Sequence, residues 1–156
     1  MDATGPRRKI LVAVDGSESA RDALRRALEL APPLGCAVTA VTAIQTRLPG
    51  YRAGYFSFVD RHILDELRKF AESVLEEARQ MSAGAAGPLE TLILEGEAEI
   101  FVQLAEMLAT TADVTFLVMG SCGHGVRERF GMGSTTQRLI QEISRRGMRT
   151  PVLVVP

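Results

Sequence analysis

Gly120, Gly123, Gly133, Ser134 and Thr135 stand at a spacing, G-x2-G-x9-G-[ST], that suits the capture of an anion. They belong to the stretch GSCGHGVRERFGMGS, which runs from Gly120 to Ser134. Before it lies the apolar run Thr115–Met119, of strand type, and after it the amphipathic run Leu139, Ile140, Ile143. A strand, a glycine-rich loop and a helix start together make a cradle for phosphate. Glycine lets the backbone approach a ligand closely and adopt positive φ, and both are expected of Gly133. The first N–H groups of the helix have no partner within it. The helix dipole adds roughly 0.3–1 kcal/mol in favour of an anion at an exposed N-terminus. Ser134 and Thr135 can cap that helix and also face a phosphate.

Other residues with chemistry lie nearby in sequence or in the expected fold. Asp15 closes the apolar run Ile10–Val14 and precedes Gly16-Ser17, where an aspartate makes an Asx turn or caps a helix. Arg127 and Arg129 lie inside the glycine-rich loop, where they can offset phosphate charge or simply face solvent. His124 is flanked by glycines and can touch a ligand, and His62 is expected to be structural. Cys122 sits in the loop near a helix start, which raises a redox role. No partner cysteine or base for it is visible in the sequence.

Several function classes are excluded. The phosphate-loop pattern G-x4-G-K-[ST] and the dinucleotide pattern G-x-G-x-x-G are both absent. No nucleophile–base pair can be named. The acidic pair, strand-3 aspartate and late lysine of a phosphoacceptor receiver domain are missing, since Gly16 follows Asp15, Glu95 follows Leu94 and no lysine follows Lys69. The chain carries 18 basic and 19 acidic residues, a formal charge of −1, and no tryptophan. Neither a nucleic-acid surface nor a stacking platform is expected from that. The basic triplet Arg7-Arg8-Lys9 is followed by only five apolar residues, too few for a signal peptide. No run approaches a membrane span. Cys36 and Cys122, isolated in the sequence, make neither a disulfide framework nor a C-x-x-C site. A cytoplasmic location is expected.

The 156 residues read as a single α/β domain, 1–156, with hydrophobic residues at 46%. Strands are expected at Ile10–Val14, Ala37–Ile44, Leu89–Leu94, Val114–Met119 and Pro151–Pro156. Their continuous apolar character suits a parallel sheet covered on both faces. Leu89–Leu94 is the least apolar and is expected near an edge. The first helix starts at Ser17 or Ser19, with Asp22 as a capping-box partner of Ser19, and has one face of Ala20, Ala23, Leu24, Ala27, Leu28 and Ala31. Pro32-Pro33 is expected to stop it. Residues 45–60 are expected to be irregular, with aromatics at Tyr51, Tyr55, Phe56 and Phe58. A second helix follows over about Arg61–Met81, with the stripe Ile63, Leu64, Leu67, Phe70, Ala71, Val74, Leu75, Ala78. The third is expected over Glu97–Ala109, and the last ends at Arg145-Arg146 with Gly147 as its C′ residue. The strand–helix alternation predicts a doubly wound sheet with helices on both faces.

On the G-x2-G-x9-G-[ST] pattern, with LVMGS before it and PVLVVP at the end, the chain resembles the universal stress protein family in its ATP-binding branch. The resemblance spans essentially the whole chain. It implies a five-stranded Rossmann-like sheet of the adenine nucleotide alpha hydrolase-like kind, in the order 3-2-1-4-5. Asp15 and Gly120 then meet at the switch point where such sheets bind ligands. The resemblance further implies ATP, or ADP or AMP, as ligand, with Ser134 at the terminal phosphates. Asp15 is placed near the ribose and a bound Mg2+ bridged to phosphates. The backbone of Ala43 is placed at the adenine edge. It implies a nucleotide-dependent regulatory module, with a slow Mg-dependent ATPase or phosphotransfer enzyme as the alternative. A homodimer through the C-terminal strand is expected, because that strand lies at a sheet edge. The chain departs from the family's commonest wording at Cys122, where histidine is usual, in the added glycines Gly125 and Gly131, and in a longer Ser144–Thr150 segment.

Overall fold

The computed structural model describes residues 8–47, 57–85, 87–123 and 132–156, with side chains of the second helix described from residue 61. The elements are β1 (Lys9–Ala13), α1 (Glu18–Leu34), β2 (Ala37–Gln45), α2 (Ser57–Ser82), β3 (Leu89–Gly96), α3 (Ile100–Thr110), β4 (Val114–Gly120), α4 (Ser134–Arg145) and β5 (Val152–Val155). The strands form one parallel sheet in the order β3-β2-β1-β4-β5. The less apolar β3 and the short β5 are its edges, as expected.

The two-residue period of the strands sends alternate side chains to opposite faces. Ile10, Val12 and Val14 pack with Val38, Ala40 and Val118 against α1 and α2. Leu11 packs with Val41, Leu117 and Met119 against α3 and α4. A central strand buried on both faces has no polar side to show, which is why β1 and β4 are continuous apolar runs.

Three boundaries differ from the sequence expectation. Helix α1 does not stop at Pro32-Pro33 but runs through both to Leu34. Each proline forfeits one helical N–H bond, yet both lie exposed in the last turn of the helix. Gly35 ends the helix at φ 64, its N–H bonding the carbonyl of Pro32 while the N–H of Cys36 bonds that of Ala31. Gly147, at φ 65, closes α4 in the same way, as expected. Helix α2 starts at Ser57, inside the stretch expected to be irregular, and Tyr51, Tyr55 and Phe56 lie outside the described residues. Its 26 residues span about 39 Å, whereas the 9 residues of β2 span about 30 Å. The helix outruns the sheet. Ala71, Val74, Leu75 and Ala78 are buried, while Ile63, toward the start of the helix, and Phe70, roughly 100° around the helix from Ala71, are exposed although expected in the same stripe. Helix α3 starts at Ile100, with Glu99 at its N-cap, rather than at Glu97.

At the far end of α4, the Glu142 carboxylate accepts hydrogen bonds from Arg145 and Arg146. These hold its pKa down at about 2. Arg146 also reaches Glu106 of α3, so the two helices are tied at their C-terminal halves.

Candidate functional site

A cleft of about 270 Å3 opens over the C-terminal ends of β1 and β4, the central strands of the sheet. The strand order reverses there, because β1 connects through α1 to β2 on one side while β4 connects through α4 to β5 on the other. Doubly wound sheets leave a crevice at that point. Asp15, Ala43, Gly120, Gly123, Gly133, Ser134 and Thr135 all line it, although they come from three separate parts of the chain.

The β1–α1 corner is built by local hydrogen bonding. Gly16 takes φ 82, which glycine adopts without strain. The Asp15 Oδ1 accepts the Ser17 N–H at 2.9 Å, an Asx turn. The Ser17 Oγ accepts the Ala20 N–H at 3.2 Å and so caps α1. The other Asp15 oxygen faces the glycine-rich loop: a Cβ at Gly123 would lie 2.9 Å from Oδ2. The Asx role and a place in the cleft therefore coexist in one carboxylate. Among the described residues lining the cleft, Asp15 is the one charged side chain.

Ala43 enters through its backbone. The Val14 N–H donates to the Val41 carbonyl at 2.8 Å, so the polar groups of Val41 face β1. Backbone groups two residues apart in a strand face the same way. Those of Ala43 thus point to the β1 side, beyond the last paired residue, Ala13. Ile100 and Leu104 of α3 form an apolar wall on this side, with Val41 and Ala13. Gln103 holds that wall. Its amide nitrogen lies 3.0, 3.2 and 2.8 Å from the carbonyls of Ile44, Gly96 and Ala98, which share its two N–H donors.

The opposite wall is the glycine-rich segment and the start of α4. Glycine is demanded at 120 by packing: a Cβ there would lie 1.9 Å from Ser19 Oγ and 2.8 Å from the Ser19 carbonyl carbon. Gly133 does not have the expected positive φ. It sits at φ −55, ψ 148 as the N-cap of α4. Its constraint is close approach alone, since a Cβ would meet Cys122 Cα and the Ser121 carbonyl oxygen, each at 3.1 Å. No side chain caps α4, so the capping role open to Ser134 and Thr135 is not used. Both are exposed at the cleft. The N–H groups of the first helical turn have no partner within α4. Thr136 donates to the Gly120 carbonyl at 2.9 Å in a buried bond.

Sequence reasoning missed the role of Ser19. It does not cap α1, and Asp22 pairs with Arg25 instead of completing a capping box. Ser19 Oγ instead bonds the backbone of Cys122, 103 residues away. A single sequence carries no signal of such a contact. Gln103 was legible in principle, as an amide inside the apolar run Ile100–Leu108. Cys122 lines the cleft as a free thiol, and Cys36 is likewise free. His62 lies exposed on α2. His124, Gly125, Arg127, Arg129 and Gly131 lie outside the described residues. Among the described residues, no three acidic, histidine or cysteine groups cluster to hold a metal unaided, and no helix is long and apolar enough to cross a membrane.

The arrangement offers an apolar slot with a free strand edge, a carboxylate at its middle, and backbone and hydroxyl donors at its far wall. Residues 6–156 match a family model described as the universal stress protein family. A universal stress protein relative from Staphylococcus saprophyticus is 25% identical over 135 residues, covering 86% of this chain and 77% of that one. Among solved structures, the universal stress protein UspA from Lactobacillus plantarum has a TM-score of 0.82 at 23% identity, covering 97% of this chain and 100% of that one. The universal stress protein from Archaeoglobus fulgidus in complex with dAMP has a TM-score of 0.61 at 22% identity, covering 97% and 98%. At these identities the solved structures show the shared fold.

Proposed function

The chain belongs to the universal stress protein family, and from that premise we propose that it binds an adenine nucleotide, ATP or its relatives ADP and AMP, as a regulatory module. The observation that carries this is the cleft that gathers Asp15, Ala43, Gly123, Gly133, Ser134 and Thr135 at the switch point. Adenine fits the apolar slot, with the outward backbone groups of Ala43 at its edge. The ribose then lies by Asp15. The phosphates meet Gly123, Gly133, Ser134, Thr135 and the N-terminus of α4. Gly120 lets β4 and α1 pack closely enough to form the floor. The dAMP held by the Archaeoglobus relative supports a ligand of this class.

A divalent cation fits as a companion of the phosphates. Mg2+ keeps several waters and takes one or two carboxylates plus phosphate oxygens. Asp15 provides one such carboxylate. A cation there would supply charge neutralisation that no lysine or arginine lining the described cleft provides. Asp15 Oδ1 stays on the Ser17 N–H, which fixes the direction of the other oxygen.

Mass spectrometry of small molecules released from the purified protein tests the ligand class. An adenine nucleotide is the expected result, and a flavin or dinucleotide would overturn it. Slow ATP hydrolysis is the alternative activity, with Asp15 as the one acidic group among the described residues of the cleft. Turnover is expected far below the roughly 1–100 s⁻¹ of kinases, because the sequence carries no phosphate-loop lysine and no base that can be named. Phosphate release within that range, abolished by Asp15→Ala, would establish the enzyme instead.

The module acts through a homodimer or a partner, in the cytoplasm. Strand β5 is a sheet edge with Leu153 exposed at 37%, which favours pairing with a second copy. Light scattering should give a dimer that is lost on deleting residues 151–156. A monomer in wild type, or a dimer that survives the deletion, would contradict this mode of assembly.

A further inference from the structure

Ser19 is buried, with 8% of its surface exposed, in the first turn of α1. Its hydroxyl donates to the Cys122 carbonyl at 3.0 Å and lies 3.4 Å from the Cys122 N–H, which donates to it. It is a side chain of the Asp15 corner that grips the backbone of the glycine-rich segment. Gly120 makes the grip geometrically possible, since any side chain there would occupy the position of Ser19 Oγ.

The grip sets the direction of one donor. In a trans peptide the C=O of one residue and the N–H of the next point in opposite directions. The Cys122–Gly123 peptide has its C=O drawn to α1 by Ser19, so the Gly123 N–H points away from α1. Gly123 lines the cleft, and its nitrogen lies 3.6 Å from where a Gly133 Cβ would stand, at the foot of α4. The N–H is therefore aimed at the wall that also carries Ser134 and Thr135. Thr136 fixes the preceding part of the segment by holding the Gly120 carbonyl at 2.9 Å.

We infer that Ser19 is a positioning residue for anion recognition: it holds the Cys122–Gly123 peptide in the orientation that presents the Gly123 N–H to a phosphate oxygen of the ligand. The inference rests on the nucleotide assignment above. It concerns the phosphate and leaves the apolar slot for the base untouched. Without the hydroxyl, the peptide is free to turn, and a donor to a charged acceptor is lost from the site. Ser19 touches no ligand itself.

The test compares AMP with adenosine, which differ only in the phosphate, by calorimetric titration of wild type and Ser19→Ala. Ser19→Ala should weaken AMP about tenfold, the scale of one hydrogen bond to a charged group. It should leave adenosine within about twofold, a difference of under 0.5 kcal/mol. A general loosening of the fold would weaken both ligands alike. Equal AMP affinities in wild type and Ser19→Ala, or equal losses for both ligands, overturn the positioning role while leaving nucleotide binding intact. Wild type that binds neither ligand overturns the nucleotide assignment and this inference together. A second measurement needs no variant. In wild-type protein labelled for amide NMR, the Gly123 resonance should move with AMP and stay in place with adenosine; a Gly123 resonance indifferent to AMP overturns the inference.

Discussion

Gly120→Ala probes the close approach of β4 to the backbone of α1. The added methyl would stand 1.9 Å from Ser19 Oγ, 2.8 Å from the Ser19 carbonyl carbon and 3.0 Å from the Ala20 nitrogen. Carbon atoms in good contact are about 3.5–4.0 Å apart. Turning the Ser19 side chain relieves only the first clash, because the other two are with the backbone of α1. The strand and the helix must separate by several tenths of an ångström, in an interior packed as densely as a crystal. Overpacking costs about 1–3 kcal/mol, and loss of the two Ser19 hydrogen bonds adds roughly 1 kcal/mol each. The sum, about 3–5 kcal/mol, lowers the melting temperature of a domain this size by roughly 6–20 °C. Calorimetric melts of wild type, Gly120→Ala and Gly84→Ala make the comparison. Gly84 has nothing within 4 Å of an added Cβ, so its variant should melt with wild type. A Gly120→Ala protein that melts within about 2 °C of wild type would refute the packing account of that residue, since 1 kcal/mol alone is worth about that much.

Further outcomes follow from the same geometry. Thr136→Val keeps the shape but removes the buried bond to the Gly120 carbonyl, and should lower stability by about 1 kcal/mol, measured by urea unfolding. Ser134→Ala should weaken nucleotide binding less than Gly133→Ala, because the backbone donors of α4 remain; a titration of the two variants checks the order. Glu142 has a folded pKa of about 2 against an ordinary 4.5, so its contribution to stability is present above 4.5 and is lost as pH falls toward 2. Glu142→Gln should therefore melt below wild type at neutral pH, and the gap should close as both are acidified toward pH 2.

Much of the scaffold can be read from the residues, because buried parallel strands and amphipathic helices leave strong periodic patterns. The five-residue runs Ile10–Val14 and Thr115–Met119, which end at Asp15 and Gly120, are hard to mistake, since central strands are covered on both faces. The strand order comes from the family resemblance, as periodicity is silent on which strands are neighbours. The misreadings fall where tertiary geometry outweighs local preference. Pro32 and Pro33 look like a stop signal, yet the exposed last turn tolerates both and Gly35 ends the helix. Ile63 and Phe70 fall in the stripe expected to form the core of α2, yet both are exposed, Ile63 toward the start of the helix and Phe70 turned away from the buried face that Ala71 and Val74 share. Gly133 reads as a positive-φ position, yet it is glycine for want of space. Ser19 looks like a cap, yet it serves a loop 103 residues away.

Isothermal titration of wild type and Gly133→Ala with AMP and with ATP plus Mg2+ tests the nucleotide site most directly. A Cβ at Gly133 would press at 3.1 Å on Cys122 Cα and the Ser121 carbonyl, at the foot of the phosphate wall, with no strain in φ. Wild type should bind one nucleotide per chain, and Gly133→Ala should bind about tenfold more weakly, a loss of about 1.4 kcal/mol, with its dichroism spectrum unchanged. Wild-type protein that shows no saturable binding at about 1 mM nucleotide, where a complex is worth only about 4 kcal/mol, would contradict the account, as would equal affinities for wild type and Gly133→Ala.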